Sequence, residues 1–259
     1  MAYATNGDVK IYYESWGEGF PLILAHGAGG NAAIWFQQIP FFSRKYRVIA
    51  FDHRGFARSP CPPDAFTVPA MVDDLRAIMD QEGIDEAALV CQSMGGWTGL
   101  NMALESPERV RALVMSHTPG GIRNDEIDEI RQNAQQNLGA LDSPFAHWAL
   151  APDFHETNVD MANLYNQISA FNTELDMERL TGALFQPFDL ARLDDFTVPT
   201  LFVTAHRDRV FPAAMIEAVA RAVPGAGYKV VSNAGHSSYF ETPDEFNQAV
   251  DAFLTTTLA

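Results

Sequence analysis

Short apolar runs alternate with segments of helical period along most of the chain. That alternation is the pattern of a mostly parallel β-sheet whose faces are covered by helices. The predicted strands are Val9–Glu14, Leu22–Ala25, Arg47–Phe51, Ala87–Gln92, Ala112–Ser116, Thr200–Thr204 and Tyr228–Val231. Between them, Val68, Met71, Val72, Leu75, Ile78 and Met79 recur every three or four residues, which puts them on one face of a helix that Gly83 ends. A last helix is predicted to open with Thr242 as N-cap, Pro243 in the first position and Glu245 completing a capping box. Its stripe of Phe246, Val250, Phe253 and Leu254 would close the fold over the sheet.

The alternation stops between Ser116 and Thr200, where only helical patterns remain. Ile127, Ile130, Ala134 and Leu138 mark one helix, Met161, Leu164, Tyr165 and Ile168 a second, and Met177, Leu180 and Leu184 a third. The block also carries Phe145, Trp148, Phe154, Tyr165, Phe171, Phe185 and Phe188. The expected organisation is an α/β core of residues 1–118 and 198–259 with residues 119–197 inserted as a helical cap, a lid rather than an independent domain.

Composition narrows the function classes. With 259 residues, 47% hydrophobic, the chain can bury a large core, and general disorder is excluded. Its 17 basic and 33 acidic residues leave a net charge of −16, which repels phosphate backbones and anionic membrane faces. No partner nucleic acid or membrane is therefore expected. No apolar run reaches the ~20 residues of a membrane span, and no leader pattern opens the chain, so a cytoplasmic location is expected. Cys61 and Cys91 read as free thiols, and no CxxC, HExxH or Cys/His cluster argues for a metal.

The segment Ala87-Ala88-Leu89-Val90-Cys91-Gln92-Ser93-Met94-Gly95-Gly96 runs from a buried strand directly into a helix with the apolar face Met94, Trp97, Leu100 and Leu104. A serine in such a turn projects its Oγ from the sheet edge, and the helix start offers N–H groups to a developing oxyanion. The usual pattern is G-x-S-x-G, and here Cys91 stands in the first glycine's place. A nucleophilic serine needs a base, and the base needs an orienting carboxylate. His236, in Gly235-His236-Ser237-Ser238, and Asp208, in Arg207-Asp208-Arg209, both follow predicted strand ends, where open α/β sheets place their sites. The order Ser93, Asp208, His236 is the one expected of a single fold. His26-Gly27-Ala28-Gly29-Gly30 follows another strand and would present the Ala28 N–H, together with that of Met94, as a two-donor oxyanion hole. It lacks the spacing of a nucleotide loop.

With these residues in place the chain resembles the α/β-hydrolase superfamily over nearly its whole length. The residues that carry the resemblance are His26–Gly30, Phe51-Asp52-His53-Arg54-Gly55-Phe56-Ala57-Arg58-Ser59, the Ser93 turn, Asp208 and Gly235-His236. The resemblance implies an α/β-hydrolase fold with a helical cap insertion, a structural role for Asp52–Ser59, no cofactor, and a triad of Ser93, Asp208 and His236. Gln92–Gly96 and His236-Ser237-Ser238 look most like the 3-oxoadipate enol-lactonase and small carboxylesterase branch. Serine as nucleophile sets the chain apart from the haloalkane dehalogenases and epoxide hydrolases, which use aspartate. Ser237 stands where carbon–carbon hydrolases of meta-cleavage products commonly have tryptophan. Ser116-His117-Thr118 offers no carboxylate where some relatives keep an alternative acid.

The function implied is hydrolysis of a small, largely apolar ester or lactone through an acyl-enzyme, with Trp35, Phe145 and Trp148 lining the pocket entrance. His117, His147 and His155 could each reach the pocket, but a surface or capping role is the expectation for each. A carbon–carbon hydrolase, a cofactor-free perhydrolase and a slow or non-catalytic ligand receptor would share the same framework. The partner expected is the small-molecule ester or lactone; a homo-oligomer is compatible with the chain, whose oligomeric state the sequence does not fix.

Overall fold

A computed structural model describes residues 2–173, 176–231 and 233–259, so the expected cap contains two residues, 174 and 175, outside the described set. One eight-stranded sheet runs through the molecule in the order β1-β2-β4-β3-β5-β6-β7-β8. Its strands are β1 (Ala2–Asn6), β2 (Val9–Trp16), β3 (Phe20–Ala25), β4 (Tyr46–Phe51), β5 (Ala87–Gln92), β6 (Val110–Ser116), β7 (Thr200–Thr204) and β8 (Gly227–Val230). The first two strands form an antiparallel hairpin, and β2 joins β4 antiparallel. From β4 to β8 every pairing is parallel. Every predicted strand is present; β1 is the addition. Only Ala4 of its five residues is buried, so the strand carries no apolar alternation that could mark it in sequence.

The helices are α1 (Gln38–Phe42), α2 (Val68–Gln81), α3 (Gly95–Glu105), α4 (Asp125–Gln136), α5 (Phe154–Thr157), α6 (Val159–Ala170), α7 (Met177–Leu184), α8 (Ala213–Ala222), α9 (Ser238–Glu241) and α10 (Pro243–Thr257). Successive strand residues face opposite sides of a sheet, and the core divides accordingly. Ile23, Ile49, Leu89, Leu113 and Phe202 meet α2, α3 and α8 on one side. Leu22, Val48, Val90, Val114 and Val203 meet Phe42 of α1 and Phe246, Val250 and Leu254 of α10 on the other. Phe253, expected in that stripe, is only half buried. Pro243 opens α10 with Thr242 at its N-cap, but the Thr242 side chain makes no capping hydrogen bond of the expected kind; its hydroxyl donates to the Ser238 carbonyl at 3.2 Å.

Among the described residues, the segment between β6 and β7 contains helices and no strand. It is tied to the core at several points. Asn31 donates to the Ile168 carbonyl and Asn172 to the Gly30 carbonyl, both at 3.0 Å, which fixes α6 over the loop after β3. The Trp97 indole donates to the Leu184 carbonyl at 2.7 Å, and α4 packs against α8. The apolar stripe of α6 is turned slightly from its expected position: Ala162, Tyr165 and Ile168 are buried, whereas Leu164 is 37% exposed. Met177 at the start of α7 is likewise exposed. No helix among the described residues is long and apolar enough to cross a membrane.

The Asp52–Ser59 segment is braced by charge. Asp52 accepts from the Ala32 and Arg58 backbone N–H groups and pairs with the Arg58 guanidinium. Arg54 binds both carboxylate oxygens of Asp74 on α2 at 2.6 Å, with both side chains buried.

Candidate active site

Strand β5 delivers Gln92 to the sheet edge, and the chain turns into α3 through Ser93, which takes φ +48°. A left-handed backbone is uncommon for a residue with a side chain, and such strain gathers at functional turns. The turn is closely packed by the loop after β3. A Cβ at Gly27 would lie 2.0 Å from Gln92 Oε1 and 2.8 Å from Ser93 Cβ, so only glycine lets this loop approach the serine. The departure at Cys91 has a compensation. Its Sγ would lie 2.4 Å from a Cβ at position 99, so the bulk missing from Gly99 on α3 makes room for the side chain that stands in place of the motif's first glycine. Burial raises the Cys91 thiol's pKa and leaves it a packing residue.

Three loops after parallel strands converge on Ser93. His236 Nε2 lies 2.9 Å from Ser93 Oγ, and His236 Nδ1 lies 2.9 Å from Asp208 Oδ2. The other carboxylate oxygen of Asp208 accepts from the Val210 and Phe211 N–H groups, at 2.9 Å each. Burial alone would raise the Asp208 pKa. Electrostatic attraction from His236 and hydrogen bonds from His117 and His236 outweigh it and hold the carboxyl well below the usual carboxylate range. Gln92 donates to the His236 carbonyl at 3.1 Å, tying the histidine loop to the Ser93 turn. The Phe211 ring meets His236 edge-on at 5.4 Å.

The structure brings a second histidine to the site. His117, at the end of β6, is fully buried and not on the surface or in a cap as expected. Its Nδ1 lies 2.8 Å from Asp208 Oδ2, the same oxygen that faces His236, and its Nε2 lies 2.7 Å from Ser238 Oγ. Ligand atoms of His117, Asp208 and His236 lie within 4.8 Å of one another, a spacing that could hold a cation. Both Nδ1 atoms are already engaged with Oδ2, so a cation would have to displace two hydrogen bonds.

His147 of the inserted segment is a further correction. It packs against Gly29 beside Tyr165, with ring centroids 4.7 Å apart, and its Nδ1 accepts from the Ala149 N–H. Burial, and then the charge of His236, lower its pKa to about 4. His155 is half buried, 3.9 Å from Asp142. Trp35 is wholly buried against Tyr239 and serves the core, not the entrance. Trp148 is half buried with the Arg209 guanidinium over its ring, beside the Asp208 loop, and Phe145 is 39% exposed. His26 is structural: its Nδ1 bonds the Gly27 carbonyl and its Nε2 accepts from the His53 N–H, which shapes the loop carrying Ala28.

Glu241 is the other site-adjacent group that the sequence reading missed. Its two oxygens accept from the Gly235 and Ala151 N–H groups at 2.9 Å each, joining the histidine loop to the inserted segment. Burial pushes its carboxyl up to about 7, against the opposing pull of backbone N–H groups of Ala151, Gly235 and Ser237.

This geometry belongs to a widespread fold. A family model described as the alpha/beta hydrolase fold matches residues 21–243. RutD of Azorhizobium caulinodans, named as a candidate carbamate hydrolase, is 30% identical over 263 residues, covering 98% of each chain. The 3-oxoadipate enol-lactonase 2 of Acinetobacter baylyi is 27% identical over 256 residues, covering 96% of this chain and 95% of its own. Among solved structures, Est816, described as an N-acyl homoserine lactone degrading enzyme, superposes with a TM-score of 0.79 at 27% identity, covering 97% of this chain and all of its own. Sheet order, the strained Ser93 turn and sequence similarity agree, and the chain belongs to the α/β-hydrolase fold family.

Proposed function

We propose that the protein is a serine hydrolase that cleaves a carboxylic ester or lactone of a small, largely apolar substrate through an acyl-enzyme intermediate. The observation that carries this reading is the unbroken line from Ser93 Oγ through His236 to Asp208, with both contacts at 2.9 Å. In the first step His236 Nε2 takes the Ser93 proton as Oγ attacks the carbonyl carbon. Asp208 fixes the imidazole with its proton on Nδ1 and stabilises the imidazolium that forms. The developing oxyanion is received by the N–H groups of Ala28 and Met94, each contributing about 3 kcal/mol. His236 then protonates the leaving alcohol; next it takes a proton from a water that attacks the acyl carbonyl, and it returns that proton to Ser93 Oγ as the acid departs.

Residues 119–197 act in this reading as the cap over the site, with Phe145 and Trp148 at its entrance. Phe211 and the aromatic residues of the cap favour an apolar substrate body. Similarity to enzymes named for lactones supports a lactone or ester. The name of RutD adds carbamates, whose carbonyl presents the same target to a serine. The test is a panel of short-chain aryl esters, lactones, an aryl carbamate and a vinylogous diketone. We expect ester or lactone turnover, and a loss of ~10⁴ in kcat/KM for Ser93→Ala. Diketone cleavage alone, or undiminished turnover by Ser93→Ala, would refute the reading.

A further inference from the structure

Asp208 carries more hydrogen bonds than a triad needs. Oδ1 accepts two backbone N–H groups, and Oδ2 faces the Nδ1 atoms of both His236 and His117. We propose that His117 is a positioning residue for the hydrolytic reaction, a second histidine that holds Asp208 Oδ2 in place and keeps the transferred proton on His236.

The hydrogen-bond inventory fixes the arrangement. An ionised carboxylate only accepts, so His117 must carry its proton on Nδ1, and its Nε2 must then accept from the Ser238 hydroxyl. Burial depresses His117's pKa, with Asp208 opposing, so the imidazole remains neutral and has this single donor for Asp208. The result is a chain from Ser93 through His236, Asp208 and His117 to Ser238, which begins its return to the His236 loop only two residues beyond His236. His117 is also one of three non-glycine residues at positive φ among the described ones, at +52°. A strained backbone that aims a fully buried side chain at the triad carboxylate is what a positioning role requires.

Two consequences follow for the reaction. A donor fixed on Oδ2 stops the carboxylate from rotating as His236 gains charge. It also lowers the carboxylate's affinity for the proton on His236 Nδ1, so that proton stays on the imidazole. The other titratable groups facing the array are His147 from the cap and Glu241 from α9. His147 stays neutral above about 4, whereas Glu241 titrates at about 7, so rate profiles need a residue-resolved companion.

The inference rests on the serine-hydrolase reading, and the test separates the two. The rate of phosphonylation of Ser93 by a fluorophosphonate is followed against pH for wild type, His117→Leu, which fills the site without a donor, and His117→Asn. The Asn amide nitrogen occupies nearly the position of His Nδ1, and asparagine tolerates positive φ. Histidine side-chain nitrogens of wild type and Ser238→Ala are read by ¹⁵N NMR. We expect His117→Leu to slow phosphonylation about tenfold, because Asp208 Oδ2 is then free to rotate away from His236, and to move its pH midpoint up by about one unit, because a carboxylate without that donor binds the imidazolium more strongly. His117→Asn should restore both rate and midpoint. The wild-type spectrum should show His117 protonated on Nδ1, and Ser238→Ala should weaken that preference.

A His117→Leu variant that loses thermal stability while keeping the wild-type rate and midpoint would overturn the proposal. So would a wild-type spectrum with His117 protonated on Nε2, a result that needs no variant to fold. Absence of labelling in wild type would instead overturn the hydrolytic reading, while the spectrum would still decide whether His117 donates to Asp208.

Discussion

Glu241 supplies a test in which the sign of the effect is informative. Its carboxyl is raised from 4.5 to about 7 by burial, although its oxygens accept from Ala151, Gly235 and Ser237. Between those two values the folded chain holds a proton that the unfolded chain has lost. Stability changes with pH in proportion to protons bound by the unfolded minus the folded state. Glu241 therefore stabilises most at acid pH, and its contribution declines as pH rises from 4.5 through about 7. At about 1.4 kcal/mol per pH unit the full decline is on the order of 3 kcal/mol. Buried His26 and half-buried His147, both lowered to about 4, act with the opposite sign over part of the same range, so the raw wild-type curve is a mixture. Subtracting the curve of Glu241→Gln isolates the one group. Urea unfolding of both proteins at half-unit steps from pH 5 to 8 is the assay, with the free-energy difference plotted against pH. We expect wild type to lose on the order of 2–3 kcal/mol relative to the variant between those limits. A difference that stays flat, or grows with pH, would refute the reasoning. Growth with pH would mean that the backbone N–H groups hold the carboxylate ionised despite its burial.

Further outcomes follow from the same structure. Arg54→Leu leaves Asp74 buried beside only Asn6, and should cost about 3–5 kcal/mol in urea unfolding at neutral pH, with a smaller loss in acid, where Asp74 can take up a proton. Gly27→Ala places a methyl against Gln92 and Ser93, so kcat should fall ~10²–10³-fold as the oxyanion loop is pushed away, while KM moves much less. In the native protein an aromatic disulfide reagent should titrate the half-buried Cys61 and spare Cys91, with both reacting after unfolding; rapid native reaction of both would contradict the packing described for residue 91.

Much of the fold was legible because parallel strands buried on both faces read as unbroken apolar runs. Leu22–Ala25 and Ala87–Gln92 could hardly be anything else. Strand β1 was silent because an edge strand with one buried residue leaves no pattern. The proposed triad was legible because three separate chemical types each followed a strand end in a fixed order, and the structure brings those three side chains together. His117 follows a strand end too, but the pattern calls for a carboxylate there, and nothing in the sequence marks a histidine that binds one. Trp35 failed for the opposite reason. A large aromatic near a glycine-rich loop reads equally as wall or core, and only packing against Tyr239 separates the two. Glu241 was out of reach because its partners are backbone N–H groups, which carry no residue identity.

The central claim is that Ser93 is an activated nucleophile, and the mass of the intact protein after brief exposure to a fluorophosphonate tests it most directly. Wild type should gain a single adduct, Ser93→Ala none, and Asp208→Asn should react ~10⁴-fold more slowly, because the wrong tautomer of His236 then faces the serine. An adduct that persists in Ser93→Ala, or a wild type that stays unmodified, would contradict the account.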